Sequence, residues 1–150
     1  MPRPRAQLDT AALARAFATD GLHGTPIDRV VAACGIAKPT LYARGGDKEE
    51  LFALAVEAEV ERLLDRLDGP HATALDDHLR EAPDGMRLLL VTGRVGSARA
   101  EAALARLFAA VDPALLGAAY AALHGGPSVS AFARSLPAET SGPPSGIWTA

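Results

Sequence analysis

The stretch Thr25-Pro26-Ile27-Asp28-Arg29-Val30-Val31-Ala32-Ala33-Cys34-Gly35-Ile36-Ala37-Lys38-Pro39-Thr40-Leu41-Tyr42-Ala43-Arg44 holds two short helical patterns separated by a glycine turn. Thr25 reads as a helix cap, Pro26 suits a first helical position, and Asp28 stands where a capping-box acid belongs. Ile27, Val30, Val31 and Cys34 then mark one inward face, and Gly35 ends the helix because glycine enters the left-handed region cheaply. The pattern restarts at Lys38, where Pro39 can open a helix but not sit deep inside one. A second short helix is predicted from about Lys38 to Arg44, with Ile36 and Leu41 facing the core and Gly45-Gly46 closing it. Helix, short glycine-containing turn, helix is the helix-turn-helix plan.

Outward from this pair the chain stays helical. Leu8, Ala12, Leu13, Ala16 and Phe17 recur at three- and four-residue spacing, predicting a helix from about Leu8 to Asp20 that stops at Gly21. On the other side Asp47 caps a long fourth helix whose first turn carries Glu49 and Glu50. Leu51, Phe52, Ala55, Val56, Leu63, Leu64 and Leu67 form its apolar stripe, and Gly69-Pro70 stops it. Further helices are predicted near Ala72–Glu81, Asp84–Thr92, Ser97–Val111, Pro113–Leu123 and Val129–Ser135. The segment from Pro137 to Ala150 is rich in Pro, Ser and Gly and is expected to be disordered, with Ile147 and Trp148 its only large apolar side chains.

Composition agrees. Of the 150 residues 49% are hydrophobic and only 5% aromatic, so the apolar set is mostly Ala and Leu, which form helices, not strands. The expected fold is all-α: a three-helix head over residues 1–46, a small helical C-terminal domain over 47–136 reached by the long fourth helix, and a tail over 137–150. The single cysteine, Cys34, excludes an internal disulfide and a multi-cysteine zinc site. No apolar run reaches the roughly 18 residues of a membrane helix, and Met-Pro-Arg-Pro-Arg lacks the apolar core of a signal peptide. A cytoplasmic protein without a membrane partner is expected.

The net charge of −3 hides an asymmetry. Up to Lys48 there are seven basic residues (Arg3, Arg5, Arg15, Arg29, Lys38, Arg44, Lys48) against four acidic ones (Asp9, Asp20, Asp28, Asp47), a net +3 that leaves −6 for the remainder. A basic head on an acidic body would orient the molecule on a polyanion. Moving the boundary past Glu49 and Glu50 lowers the head to +1.

Leu8-Asp9-Thr10-Ala11-Ala12-Leu13, Phe17, Gly21, Thr25-Pro26-Ile27, the run Ala33 to Tyr42 and Asp47-Lys48-Glu49-Glu50-Leu51 together resemble the head of the tetracycline-repressor family. The resemblance covers about a third of the chain and implies a regulator that binds double-stranded DNA as a homodimer, its two heads entering successive major grooves. It also implies a helical C-terminal domain that makes the dimer and holds a small apolar effector. Repression through a palindromic operator is the expected function. The alternative is a truncated or diverged helical interaction protein that has lost operator binding.

Lys38, Pro39, Thr40, Ala43 and Arg44 form the face available to a major groove. Thr40 and Arg44 are the candidates for base edges, since arginine can take guanine bidentately; the plainer reading of Arg44 is a phosphate contact or a free side chain. The resemblance implies that the Thr25 hydroxyl and nearby amides meet a phosphate, beside its simpler role as a cap. It implies the same for Tyr42, which could otherwise be a core aromatic with a wet hydroxyl. Lys48 opposes the helix dipole in the first turn of its helix, at a cost that a DNA phosphate there would reverse; otherwise it pairs with Asp47 or Glu49. Arg3 and Arg5, spaced by prolines, read either as an arm on the DNA backbone or as a disordered tail.

Three departures from the family pattern stand out. Gly45 occupies a position that is usually aromatic, which should loosen the recognition helix; Ala37 replaces a capping serine; Val31 replaces a small alanine. Gly117, Ala118, Ala121 and Ala122 would let helices approach closely, in an interface or in ordinary core packing. No catalytic residues, cofactor or metal are expected: His23, His71, His78 and His124 are scattered, and no nucleophile elbow or phosphate loop of the Walker type occurs. Gly93-Arg94-Val95-Gly96 reads as an interhelix loop.

Overall fold

A computed structural model describes residues 8–92 and 96–137. The arm with Arg3 and Arg5, the loop residues 93–95 and the segment from 138 onward, with Ile147 and Trp148, lie outside the described residues. Among the described residues the fold is all-α, with helices α1 (Thr10–Phe17), α2 (Gly21–Gly24), α3 (Ile27–Cys34), α4 (Lys38–Gly45), α5 (Lys48–Asp65), α6 (His71–Glu81), α7 (Pro83–Leu90), α8 (Ala98–Ala110), α9 (Pro113–Leu123) and α10 (Val129–Ser135). A 3-10 turn, Arg66–Asp68, follows α5.

The helix starts follow their caps. Asp9 accepts from the Ala12 amide at 3.1 Å, so α1 begins at Thr10. Asp47 accepts from Glu50 at 2.9 Å, Ser97 from Ala100 at 3.2 Å, Asp112 from Ala114 at 2.8 Å and Ser128 from Ala131 at 3.0 Å. Each bond satisfies an amide that the helix leaves without a partner. The body helices expected from periodicity are all present, with ends shifted by at most two residues.

The first helix is corrected. It stops at Phe17, and after a turn Gly21, at φ +72, opens the separate short helix α2. A Cβ added at that left-handed glycine would stand 3.4 Å from the Thr92 carbonyl oxygen, and the Thr92 hydroxyl donates to the Ala18 carbonyl at 3.0 Å. Tertiary contact with the end of α7 therefore turns the chain where periodicity alone would continue it.

One apolar core runs from α1 to α10, with α5 at its centre. Leu13 and Phe17 of α1, Val30 of α3, Leu41 of α4 and Leu51, Phe52, Val56, Val60 and Leu63 of α5 are fully buried with Leu75, Met86, Leu88, Leu89 and Leu107. The Phe17 and Phe52 rings meet edge to face at 5.2 Å, a favourable aromatic geometry. Ala118 is buried in this core, whereas Gly117 and Ala121 are exposed and Ala122 is half-buried. The four small residues of α9 therefore do not share one outer face. Among the described residues no single helix is long and apolar enough to cross a membrane.

The core also contains an ionic cluster that connects several helices. Glu59, buried on α5, accepts from Arg62 and stands 3.0 Å from Nε2 of the equally buried His78 on α6. Arg62 in turn donates to the Thr10 hydroxyl at the start of α1. Gly85 of α7 packs directly on the Glu59 carboxylate, leaving no room there for a Cβ. In the sequence Glu59 gives no signal and His78 stands only as one of four scattered histidines, although each sits at helical spacing within an apolar stripe.

Candidate nucleic-acid interface

The α3–α4 pair is built as the sequence dictates. Gly35 takes φ +67 and caps α3 through its amide, 3.0 Å from the Val31 carbonyl. Ile36 and Ala37 complete the turn, and the Leu41 amide closes the first turn of α4 on the Ala37 carbonyl at 2.9 Å. Val30 and Leu41 are fully buried, while Ile27, Val31, Cys34 and Ile36 are half-buried against the same core. Burial pushes the Cys34 thiol up, and Asp9 adds to this against the opposing charge of Arg15. The thiol is a packing group in the wall between α3 and α1.

In α4, Leu41 and Gly45 are one turn apart and both face inward. At 3.6 residues per turn, Pro39 and Ala43 then point furthest from the core, with Thr40 and Tyr42 on the flanks. Exposure agrees: Lys38, Pro39, Ala43 and Arg44 are exposed, Thr40 is half-buried, and Tyr42 is 37% exposed. The helix is presented to solvent along its whole length.

The expectation that Gly45 leaves a gap is overturned. The space where a Cβ would stand is already filled by Leu51 of α5, with Leu8 Cδ1 2.8 Å from that position. Two leucine side chains take the place of one aromatic ring, and α4 remains helical through Gly45. Gly46, at φ +84, makes the turn into α5 and donates to the Tyr42 carbonyl at 2.9 Å.

Thr25 is corrected as a cap. Pro26 stands at the cap of α3 in extended conformation, and Thr25 is fully buried one residue earlier. Its Oγ1 has no hydrogen-bond partner among the described residues. A hydroxyl so placed is not on the surface that Lys38, Tyr42 and Arg44 form.

Charge is unevenly compensated across this face. Lys38 lies 3.8 Å from Asp28, an exposed pair of little energetic consequence, and Arg29 pairs with Asp20. The side chains of Tyr42, Arg44 and the half-buried Lys48 have no hydrogen-bond or ion-pair partner among the described residues. The expected alternative for Lys48, a bond to Asp47 or Glu49, is not formed. Tyr42 and Arg44 in the last turn of α4 and Lys48 at the start of α5 lie on either side of the Gly46 turn.

Residues 10–55 match the model of the bacterial regulatory proteins of the tetR family, spanning α1 to the first half of α5. Over this stretch, under a third of the chain, the protein is similar to the head of the tetR family. The matched stretch contains a helix-turn-helix, with α4 the exposed second helix of the pair. No curated protein and no solved structure matches the chain. The departures from the family pattern at Ala37 and Val31 are absorbed differently: Ala37 caps α4 without a side-chain bond, and Val31 packs half-buried against the core.

Proposed function

We propose that the chain is a ligand-responsive transcriptional repressor that binds a palindromic operator as a homodimer. The observation that carries the DNA contact is the exposed face of α4 together with the uncompensated Arg44 and Lys48 at its end. In this reading residues 1–46 form the head, and α4 lies in the major groove with Thr40 and Arg44 toward base edges. Lys38, Pro39 and Tyr42 line the groove edge and backbone. Lys48 meets a phosphate, where the α5 amide dipoles attract the same anion and offset the cost of a cation at that position. Thr25 contributes through the buried turn that sets the angle of α3.

Residues 47–136 form the effector and dimer domain in this reading. A cavity of about 640 Å³, lined by Leu90, Phe108, Pro113, Leu116, Gly117 and Tyr120, has the size and apolar lining of a small-molecule site. Dimerisation is supported by the exposed alanines of α8, where Ala102, Ala105 and Ala109 recur at three- and four-residue spacing, and by Ala114 and Ala121 of α9. Small residues on an outer helix face permit close approach of a second helix.

Selection of bound fragments from genomic DNA, followed by affinity measurement across salt concentrations, tests the reading. Binding to a palindromic site is expected to fall steeply with salt, and Lys48→Ala to weaken it and reduce the log–log slope by about 0.9 for one lost phosphate contact. Light scattering is expected to report a dimer. Undetectable or salt-insensitive binding to all fragments would instead favour a helical interaction protein that kept the head's fold alone.

A further inference from the structure

We propose that Ala43, with the Thr40 methyl beside it, recognises thymine through its 5-methyl group, so that each operator half-site carries a thymine under the middle of α4. The contact presupposes the groove binding proposed for this helix and adds which base it selects.

Two buried residues set the direction of α4. Leu41 is fully buried, and Gly45, one turn on, is buried beneath Leu51. Ala43 is two residues from each, about 200° round the helix, and so stands opposite both. Pro39 has the same relation to Leu41. Thr40 lies three residues before Ala43, about 60° away on the outer side. Ala43 and Pro39 are exposed and Thr40 is half-buried. Tyr42 and Arg44, each about 100° from Ala43, extend on opposite flanks. Neither has a hydrogen-bond or ion-pair partner among the described residues. The flanks of α4 thus carry long polar side chains and its crest carries short ones.

Chemistry then selects the base. A helix fills most of a major groove about 12 Å wide, so the residues on its crest come closest to the base edges. Pro39 and Ala43 have no side-chain donor or acceptor, and Thr40 has one hydroxyl and one methyl. Among the groups that base pairs present in the major groove, the thymine 5-methyl is the apolar one, and alanine and the threonine methyl are fitting partners for it. The same crest against the amino group of cytosine or adenine would leave that donor without a partner, which costs affinity. The short Ala43 side chain also lets the helix settle close to the bases, where a longer residue would hold it off.

Deleting one methyl from the DNA tests the contact. The tightest duplex selected from genomic DNA is remade with uracil for thymine, one position at a time. With the wild-type chain, one such change in each half-site is expected to weaken binding about four-fold, the loss for one buried methyl. In Ala43→Gly the uracil and thymine duplexes are expected to bind alike; the ratio is read, because glycine also lowers helix propensity. A second measurement needs no variant: at the same position, 5-methylcytosine is expected to bind about four-fold tighter than cytosine. Thr40→Ser, which keeps the hydroxyl, reports the share of the threonine methyl. Salt-dependent binding in which every thymine tolerates uracil overturns the methyl contact and leaves DNA binding standing. Sensitivity to uracil that survives both Ala43→Gly and Thr40→Ser overturns it in favour of another residue. If no duplex is bound at all, the groove reading of α4 fails and the methyl contact with it.

Discussion

Gly45→Ala separates helix propensity from packing in the recognition helix. Gly45 lies within α4 and is absent from the positive-φ glycines, so its backbone accepts alanine without strain. On propensity alone the change would stabilise, by at most about 1 kcal/mol and by less at a helix end. Packing opposes it. The new methyl would overlap Cδ2 of Leu51 and stand 2.8 Å from Leu8 Cδ1 and 3.2 Å from Leu51 Cγ. Leu51 is fully buried, with no free space to rotate into, whereas Leu8 is half-buried and can move. Overpacking of this kind costs about 1–3 kcal/mol, so packing wins and the net effect is a loss of about 1–2 kcal/mol. For a chain of this length that lowers Tm by about 2–4 °C per kcal/mol. Thermal melts followed at the helical circular dichroism band, with urea titrations to confirm an unchanged m-value, measure it. In a Leu51→Ala background the added methyl is expected to be neutral or stabilising, a coupling of about 0.5–3 kcal/mol. A Tm that rises with Gly45→Ala in the otherwise unaltered chain would refute the packing argument and return α4 to the loosened state the sequence suggests.

Asp76 accepts from the Val129 and Ser130 amides at 2.7 and 2.9 Å, tying the start of α10 to α6. Burial pushes its carboxyl up, but the bonds from Ser130 and Val129 and the Arg80 charge outweigh that and hold it below the ordinary value. A depressed folded value means stability present above about pH 4 and lost as the pH falls through the depressed pKa, so α10 amide exchange is expected to accelerate only in that acid range; Asp76→Asn should remove the pH dependence. Thr25→Val replaces a buried hydroxyl without a partner by an isosteric apolar group, and Tm is expected to hold or rise; a fall would show that the hydroxyl is satisfied. Glu59→Ala leaves the buried His78 Nε2 without its partner and is expected to cost about 3 kcal/mol in urea unfolding. Arg62→Ala takes one partner from the buried Glu59 carboxylate and the bond from Thr10, but His78 remains, so it is expected to destabilise less than Glu59→Ala in the same titration.

What the sequence disclosed and what it withheld divide along a physical line. Caps and periodicities are local, so Asp47 announced its helix and the body from α6 to α10 was readable almost to the residue from periodicity. The turn at Phe17 was not, because Thr92, far along the chain, supplies the bond that bends it. Thr25 looked like a cap because Thr-Pro is a good start signal, but burial of its side chain moved the cap to Pro26. The outward face of α4 was readable from Leu41 alone, since one inward residue fixes the other directions on a helix. What fills the hole at Gly45 was not, since Leu8 and Leu51 reach it from either side through tertiary packing.

The Glu59 cluster bears on how firmly the head is held. A buried ion pair is poor evidence of stability, because an apolar set of the same volume often does as well. Its effect lies in direction: an apolar contact tolerates sliding, whereas bonds from Glu59 to Arg62 and His78, and from Arg62 to Thr10, are satisfied in one register only. The close fit of Gly85 over the carboxylate adds α7 to the same register. At the other end of α7, Leu90 lines the cavity and Thr92, two residues on, bonds to the last turn of α1. The first helix of the head is thus fixed at its start through Arg62 and at its end through Thr92, with α7 touching both attachments. Any occupant of the cavity that shifts the end of α7 must stretch the Thr92 bond or carry α1 with it.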